Sequence, residues 1–216
     1  QAIHQIDVVR RLAGGMGEKI YAMTGVWDPK RPTEGAFTAL MNFEGGCVAN
    51  LTYSGYAHFD SDIWMNDVGE LGQRKRAGAY GDARRALMDL DPDDEARLKT
   101  TRTFGSGKTV DAEHNEHFGP VIALCDRADL KLTPDGVEVF GDTERSFIEA
   151  KFGPAPRRTV NDALVAAVRQ NRAPVQTGAW GLASLEVCHA ILQSASTGQP
   201  VDLRQQCKTS EEEQTG

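Results

Sequence analysis

Apolar residues recur at helical spacing at both ends of the chain and at strand spacing in its middle. The first helical stripe ends at the glycine pair Gly14-Gly15, a typical C-terminal stop signal. A second stripe predicts a helix from about Gly178 to Thr197 that is closed by Gly198. The first stripe consists of Ile3, Ile6, Val9 and Leu12, and the second of Trp180, Ala183, Val187, Cys188, Ile191 and Ala195.

A third helical stripe lies between these two. Thr159-Val160-Asn161-Asp162 resembles a capping box with Asp in place of Glu, and an apolar stripe follows it. The stripe predicts a helix over residues 160–171, and we expect the sheet to pack beneath this helix and helix 178–197. Its members are Val160, Leu164, Ala167 and Val168.

Alternating polar and apolar residues predict the strands. Residues 36–43 alternate at period two, Glu44-Gly45-Gly46 forms a tight connection, and residues 47–53 return as the partner strand. Pro134 and Gly136 favour a turn within a hairpin over 130–140. Further strands are predicted at 20–27 and 63–68, together with a buried strand at 120–126.

The order of these elements predicts an α+β fold with an open, mainly antiparallel sheet and helices packed on one face. Apolar residues show no clear periodicity between residues 72 and 117, apart from a short helix candidate at 82–90. We therefore expect a long loop there. Residues 207–216 are polar and are expected to form a disordered tail.

Composition narrows the classes of function. The 216 residues carry 24 Lys and Arg against 31 Asp and Glu, a net charge of −7. This acidic balance argues against nucleic-acid binding, and no apolar run is long enough for a membrane span. The four cysteines are scattered without a C-x-x-C pair, which favours a reduced, cytoplasmic setting.

His4 and Asp7 are the leading candidates for chemistry. They stand three residues apart and therefore share a helix face. A histidine backed by a carboxylate suits proton transfer, and the alternative is an ordinary surface pair.

Other motifs are weaker candidates for a cofactor loop or a metal site. Gly105-Ser106-Gly107-Lys108-Thr109 resembles a phosphate-binding loop, but Arg102 stands where that loop needs glycine. His58, Asp60 and Asp62 would share a face in an extended segment, as a polar site wall or a solvated edge. A metal-dependent hydrolase remains a weaker alternative. Its ligands would be His58, Asp60, His114 and His117.

The two ends of the chain resemble the second domain of the Gfo/Idh/MocA oxidoreductases. The opening segment, His4 to Gly15, is similar to the His-x-x-Asp helix that follows their nucleotide-binding domain. Residues 177–203 are similar to their C-terminal helix and final strand. The resemblance implies a fold like the C-terminal domain of glyceraldehyde-3-phosphate dehydrogenase over residues 1–206, with an NAD- or NADP-dependent dehydrogenase as the full-length parent.

Within that family, Thr24 to Pro29 and Tyr53 to Asp62 resemble the bacterial phthalate dihydrodiol dehydrogenases. This resemblance implies oxidation of a cis-dihydrodiol of phthalate to 4,5-dihydroxyphthalate, with a small-molecule diol as substrate. A sugar or inositol dehydrogenase domain is the family alternative. The resemblance implies His4 and Asp7 as catalytic residues, and cationic or polar candidates for binding the substrate are Arg11, His58 and Arg74.

Two departures limit what the chain is expected to do alone. It contains no Gly-rich βαβ unit, and it lacks the family's Glu-Lys-Pro segment, since Glu18-Lys19 is followed by Ile20. We therefore expect an excised second domain that is inactive and binds no NAD or NADP by itself. A stand-alone, non-catalytic binding or oligomerisation module is the competing hypothesis.

The sheet pattern also predicts assembly. Phe37 and Met41 would lie on the face opposite Ala36 and Leu40, so both faces of the sheet carry apolar residues. A residual apolar face usually marks an interface, and the family resemblance implies sheet-to-sheet pairing. We expect a homodimer or homotetramer formed through the open sheet face.

Overall fold

The computed structural model describes most of the chain, and the described residues form two compact units. The first unit comprises Gln1–Tyr56 and Arg157–Gly216, and the second comprises Ala57–Pro156. The described residues are 2–29, 35–56, 58–88, 90–91, 94, 97, 112–151, 153, 158–174 and 176–208.

The first unit has a four-stranded antiparallel sheet with the strand order β3-β2-β1-β8. Its strands are β1 (Gly17–Gly25), β2 (Ala36–Phe43), β3 (Val48–Ser54) and β8 (Val201–Asp202). Its helices are α1 (Ala2–Leu12), α3 (Arg158–Gln170) and α4 (Gly178–Thr197).

The core of the first unit lies between the inner face of this sheet and the helices α1 and α4. Alternation along β2 buries every second residue from Phe37 to Phe43, as predicted. Thr177 caps α4 by accepting a hydrogen bond from Trp180 N at 3.2 Å, and Gly198 ends the helix with φ 65°. The core residues include Ile6, Ile20, Ala39, Met41, Phe43, Leu51, Val187 and Ile191.

The predicted inward face of α1 needs correction. Ile6 is buried and Val9 is partly buried, but Ile3 and Leu12 are exposed. Steps of three residues fall about 60° short of a full helical turn, so the stripe at 3, 6, 9 and 12 winds around the helix. The face that packs inward instead contains Ala2, Ile6, Val9, Arg10 and Ala13.

The prediction that helix 160–171 covers the sheet is wrong. α3 begins at Arg158, so Thr159 lies inside the helix, and no residue of α3 is buried. Val168, for example, is 76% exposed. The periodicity correctly predicts an amphipathic helix, but α1 occupies the inner face of the sheet beside α4.

The second unit has a second antiparallel sheet with the order β4-β5-β6-β7. β5 and β6 form the hairpin predicted from its turn residues, with Pro134 and Asp135 between the strands. The strands are β4 (Ile122–Leu124), β5 (Ala128–Thr133), β6 (Gly136–Gly141) and β7 (Arg145–Glu149), and α2 spans Asp82–Met88.

Several predicted boundaries differ from the structure. Residues 63–68 are not a strand, because the Asp60 side chain caps a 3₁₀ helix at Ser61–Met65 and Asn66 adopts a left-handed conformation after it. The strand predicted at 120–126 is only Ile122–Leu124, and it is largely exposed. The strand predicted at 20–27 spans Gly17–Gly25, and β7 was not anticipated.

The fold class is confirmed, since both sheets are antiparallel and α1 and α4 pack on one face of the first. None of the helices in the described part of the chain has the length and apolarity that a membrane crossing requires. Cys207 and Lys208 belong to the first unit, whereas the predicted tail residues 209–216 lie outside the described residues.

Candidate functional site

Arg10 is the central polar residue of the first unit. It follows Ile6 by four positions on α1, so it points toward the core, and it is 0% exposed. A buried guanidinium requires acceptors for its N–H groups, because it gives up its hydration. Arg10 therefore depends on a set of polar partners inside the unit.

These partners come from three parts of the chain, namely the turn after α1, α4 and the C-terminal segment. Arg10 also stacks over the Trp180 ring, with its Cζ 3.9 Å from the ring centroid. Burial lowers the pKa of Arg10, while Cys207, Asp7 and Glu186 oppose this shift. The acceptors are Gly15 O (3.4 Å), Trp180 O (3.1 Å), Ser184 Oγ (2.8 Å), Gln206 Oε1 (3.0 Å) and Cys207 O (3.4 Å).

Asp7, one turn before Arg10 on α1, joins the same network. Its carboxylate accepts hydrogen bonds from Trp180 Nε1, from Gln176 Nε2 at 3.1 Å and from Ser184 Oγ at 3.3 Å. Ser184 thus accepts from Arg10 and donates to Asp7. The partners of Asp7 on the α4 side show that this carboxylate anchors α1 to α4.

Glu186 fastens the C-terminal segment to α4. Its carboxylate accepts from the backbone N–H groups of Arg204 (2.7 Å) and Gln205 (2.8 Å) and from Gln206 Nε2 (2.8 Å). Partial burial would raise the pKa of Glu186, but these hydrogen bonds outweigh it and lower the pKa. Gln206 is thereby held where it can accept from Arg10.

The network leaves His4 exposed on the first turns of α1, one turn before Asp7. The sequence places both residues on one helix correctly, but Asp7 is engaged by α4. Arg11 is exposed on the same helix. Arg10 is not among the predicted site residues, although its spacing of four from Ile6 is the signal that predicts a buried position.

In the second unit, Lys75 binds both acidic residues of the predicted polar face. Its Nζ lies 2.6 Å from Asp60 Oδ2 and 2.6 Å from Asp62 Oδ2. Partial burial alone would lower the pKa of Lys75, but the hydrogen bonds to Asp60 and Asp62 outweigh it and raise the pKa. The segment is not extended, and His58 is exposed.

Two histidines of the second unit have separate partners. His114 Nδ1 lies 2.5 Å from Asp135 Oδ1, and its Nε2 lies 3.3 Å from Arg74 Nη2. His117 is buried, with Nε2 2.9 Å from Val68 O and Nδ1 accepting from Gly119 N.

The hypothetical ligand set of a metal-dependent hydrolase is not assembled. In the ranges that the structure describes, no three His, Cys, Asp or Glu side chains are grouped to hold a metal ion. All four hypothetical ligands, His58, Asp60, His114 and His117, lie within those ranges.

Comparisons with known proteins agree with this fold. Residues 1–75 match the GFO/IDH/MocA C-terminal domain. The chain is similar to the 1-carboxy-3-chloro-3,4-dihydroxycyclohexa-1,5-diene dehydrogenase of Comamonas testosteroni, with 37% identity over 199 residues. This match covers 89% of the chain and 50% of the relative.

Two solved structures are also similar to this chain. A protein of Bordetella bronchiseptica RB50 assigned as a dehydrogenase superposes with a TM-score of 0.81 at 38% identity, over 94% of this chain and 53% of that one. An Agrobacterium radiobacter oxidoreductase in complex with NAD+, L-tartaric acid and magnesium shares the fold with a TM-score of 0.56 and 15% identity. The match covers 93% of this chain and 47% of that one. The chain therefore spans about half the length of the relatives it matches.

The Arg10 network predicts a large effect of a single substitution on stability. Arg10→Met removes the donors and leaves several buried acceptors unsatisfied, so we expect the free energy of unfolding to fall by about 3 kcal/mol or more. The neighbouring Arg11→Met is the matched control and should change it by less than about 0.5 kcal/mol, because Arg11 is exposed. Urea denaturation followed by circular dichroism measures both, and equal effects would contradict the central role of Arg10.

Proposed function

The chain belongs to the Gfo/Idh/MocA family, and on that premise we propose that it is the substrate-binding and oligomerisation domain of an NAD- or NADP-dependent dehydrogenase. The family match and the 37% identity to a dehydrogenase support this proposal. We infer that the full protein contains a second half, because the chain covers only about half the length of these relatives.

We place the binding site of the dinucleotide in the remaining half of the protein, outside the described residues. Every strand pairing among them is antiparallel, whereas the fold that binds a dinucleotide needs parallel βαβ units. The nicotinamide, bound in the remaining half, would accept the hydride. This chain would bind the diol and take up its hydroxyl proton.

We propose a carboxylated cyclic dihydrodiol as the substrate class. The Comamonas testosteroni relative is named for a diol of this kind, with one carboxylate on a cyclohexadiene ring. Oxidation of one carbinol of such a ring releases a hydride and a hydroxyl proton, so a base must face that hydroxyl. A cis-dihydrodiol of phthalate, oxidised to 4,5-dihydroxyphthalate, is the specific substrate that we propose.

The observation that carries this proposal is the way α1 presents His4. The buried contacts of Arg10 and the partly buried contacts of Asp7 fix one face of α1 against α4, while His4 is exposed one turn from Asp7. An imidazole on a fixed helix can accept a hydroxyl proton with little loss of orientation. We assign His4 as the base and Asp7 as the residue that holds its helix.

The exposed apolar stripe of α3 also supports a longer protein. Val160, Leu164, Val165 and Val168 are all more than half exposed. Such a stripe normally packs against another surface. We propose that the nucleotide-binding half covers it.

The assignment of His4 is tested in the protein that carries both halves. His4→Ala should fold normally and lower kcat by on the order of 10²–10⁴, the usual effect of losing an acid/base group. His189→Ala is the control, since His189 is exposed on α4 of the same unit. A His4→Ala variant that turns over as fast as the His189→Ala variant would refute the assignment.

We also propose a homodimer or homotetramer formed through the outer face of the first sheet. This face exposes Tyr21, Met23, Leu40 and Val48, and the register places Tyr21 directly opposite Leu40. A sheet face bare to water would carry mainly polar residues. The exposed fractions of Met23, 60%, and Leu40, 49%, therefore support an interface.

Light scattering tests this assembly in the chain itself. We expect a mass of at least twice 23.5 kDa for the wild type and of 23.5 kDa for Leu40→Lys, because a buried lysine without a partner opposes association. Leu182→Lys on α4, also exposed, is the control and should keep the wild-type mass. A wild-type monomer at tens of micromolar would overturn the proposal.

A further inference from the structure

Arg74 differs from the two cations that follow it in the basic run Arg74-Lys75-Arg76. Lys75 is neutralised by Asp60 and Asp62, and Arg76 Nη2 lies 2.7 Å from Asp82 Oδ2. Arg74 instead has no carboxylate partner and contacts two other groups among the described residues. They are Asn66 O and the His114 ring, each at 3.3 Å.

The contacts of Arg74 leave much of its binding capacity unused. They engage two of the five N–H groups that a guanidinium carries, at distances that are long for hydrogen bonds. The side chain is exposed. An anion can therefore reach Arg74 without breaking an ion pair to any residue that the structure describes.

The backbone around Arg74 is held firmly although it is irregular. Val68 pairs with Arg74 in an isolated bridge, and Lys75 N donates to Asp67 O at 2.8 Å. Gly72 O accepts from Glu113 N and His114 N, both at 3.1 Å. Gly72 has φ 79°, and a Cβ there would lie 2.1 Å from His114 O, so this close approach requires glycine.

His114 fixes the position of the guanidinium. Because Arg74 can only donate, His114 Nε2 must accept, and its Nδ1–H then donates to Asp135 Oδ1 at 2.5 Å. The His114 ring is thus held in one orientation by Asp135, which lies in the turn between β5 and β6. Asn66 O and His114 together constrain the Arg74 fork from two sides.

We propose that Arg74 forms a carboxylate-binding site on the second unit, with His114 and Asp135 as positioning residues. The proposal rests on the dehydrogenase function inferred above, because a substrate of that class carries a carboxylate on its ring. A guanidinium matches a carboxylate through two parallel N–H···O bonds, whereas the ammonium of a lysine offers only a point charge. Each Nη atom of Arg74 retains a second N–H for this purpose.

Binding of benzoate to the 216-residue chain tests the site without any cofactor. We expect saturable shifts of the ¹⁵N–¹H signals around Arg74 and His114 with an affinity on the order of 1 mM, and none with benzamide, which has no charge. Arg74→Gln should weaken binding at least tenfold, and Arg74→Lys should recover only part of it. Arg76→Gln is the matched control and should bind benzoate as the wild type does.

The positioning role has its own signature. Asp135→Asn should weaken benzoate binding severalfold and shift the ¹⁵N signals of the His114 ring, because Nδ1–H loses its carboxylate acceptor. An unchanged ring spectrum would contradict that role. Equal weakening by Arg74→Gln and Arg76→Gln, or no saturable shift up to about 50 mM benzoate, would overturn the site. Either result would leave the proposed base His4 standing, since no turnover is measured.

Discussion

The first unit depends on one constraint, the burial of the positive charge of Arg10. A guanidinium removed from water is tolerated only when acceptors surround it. Here the acceptors belong to the turn after α1, to α4 and to the C-terminal segment. The three parts must therefore be in place together, and the orientation of α1 is coupled to the docking of residues that lie almost 200 positions later.

Because of this constraint, Asp7 and His4, the two residues proposed for chemistry, have different environments. Asp7 faces α4, where Trp180, Gln176 and Ser184 donate to it, so its charge stabilises the packing of α1. His4 is left exposed on the same rigid helix, as a proton acceptor should be. The proposed role of His4 would thus rest on the packing that Arg10 and Asp7 provide for α1.

The periodicity of apolar residues predicts an element correctly when the residues it marks are the ones that are buried. β2 is the clearest case, because its alternation matches the two faces of the sheet, and α4 has its apolar stripe and closing glycine in the expected places. α3 has an equally clear stripe, but periodicity does not reveal which surface covers a helix. The ion pairs of Lys75 and the contact of His114 with Asp135 join residues 13 to 21 positions apart in irregular backbone, where no spacing rule applies.

Native-state hydrogen exchange of the α1 amides tests the coupling most directly. If Arg10 unites α1, α4 and the C-terminal segment, the amides around Ile6 and Arg10 should exchange only through the unfolding event that also exposes Val187 on α4. In Arg10→Met, the α1 amides should exchange much faster, while those of α4 retain more protection. Exchange of the α1 amides by local opening in the wild type, with α4 still fully protected, would contradict the account.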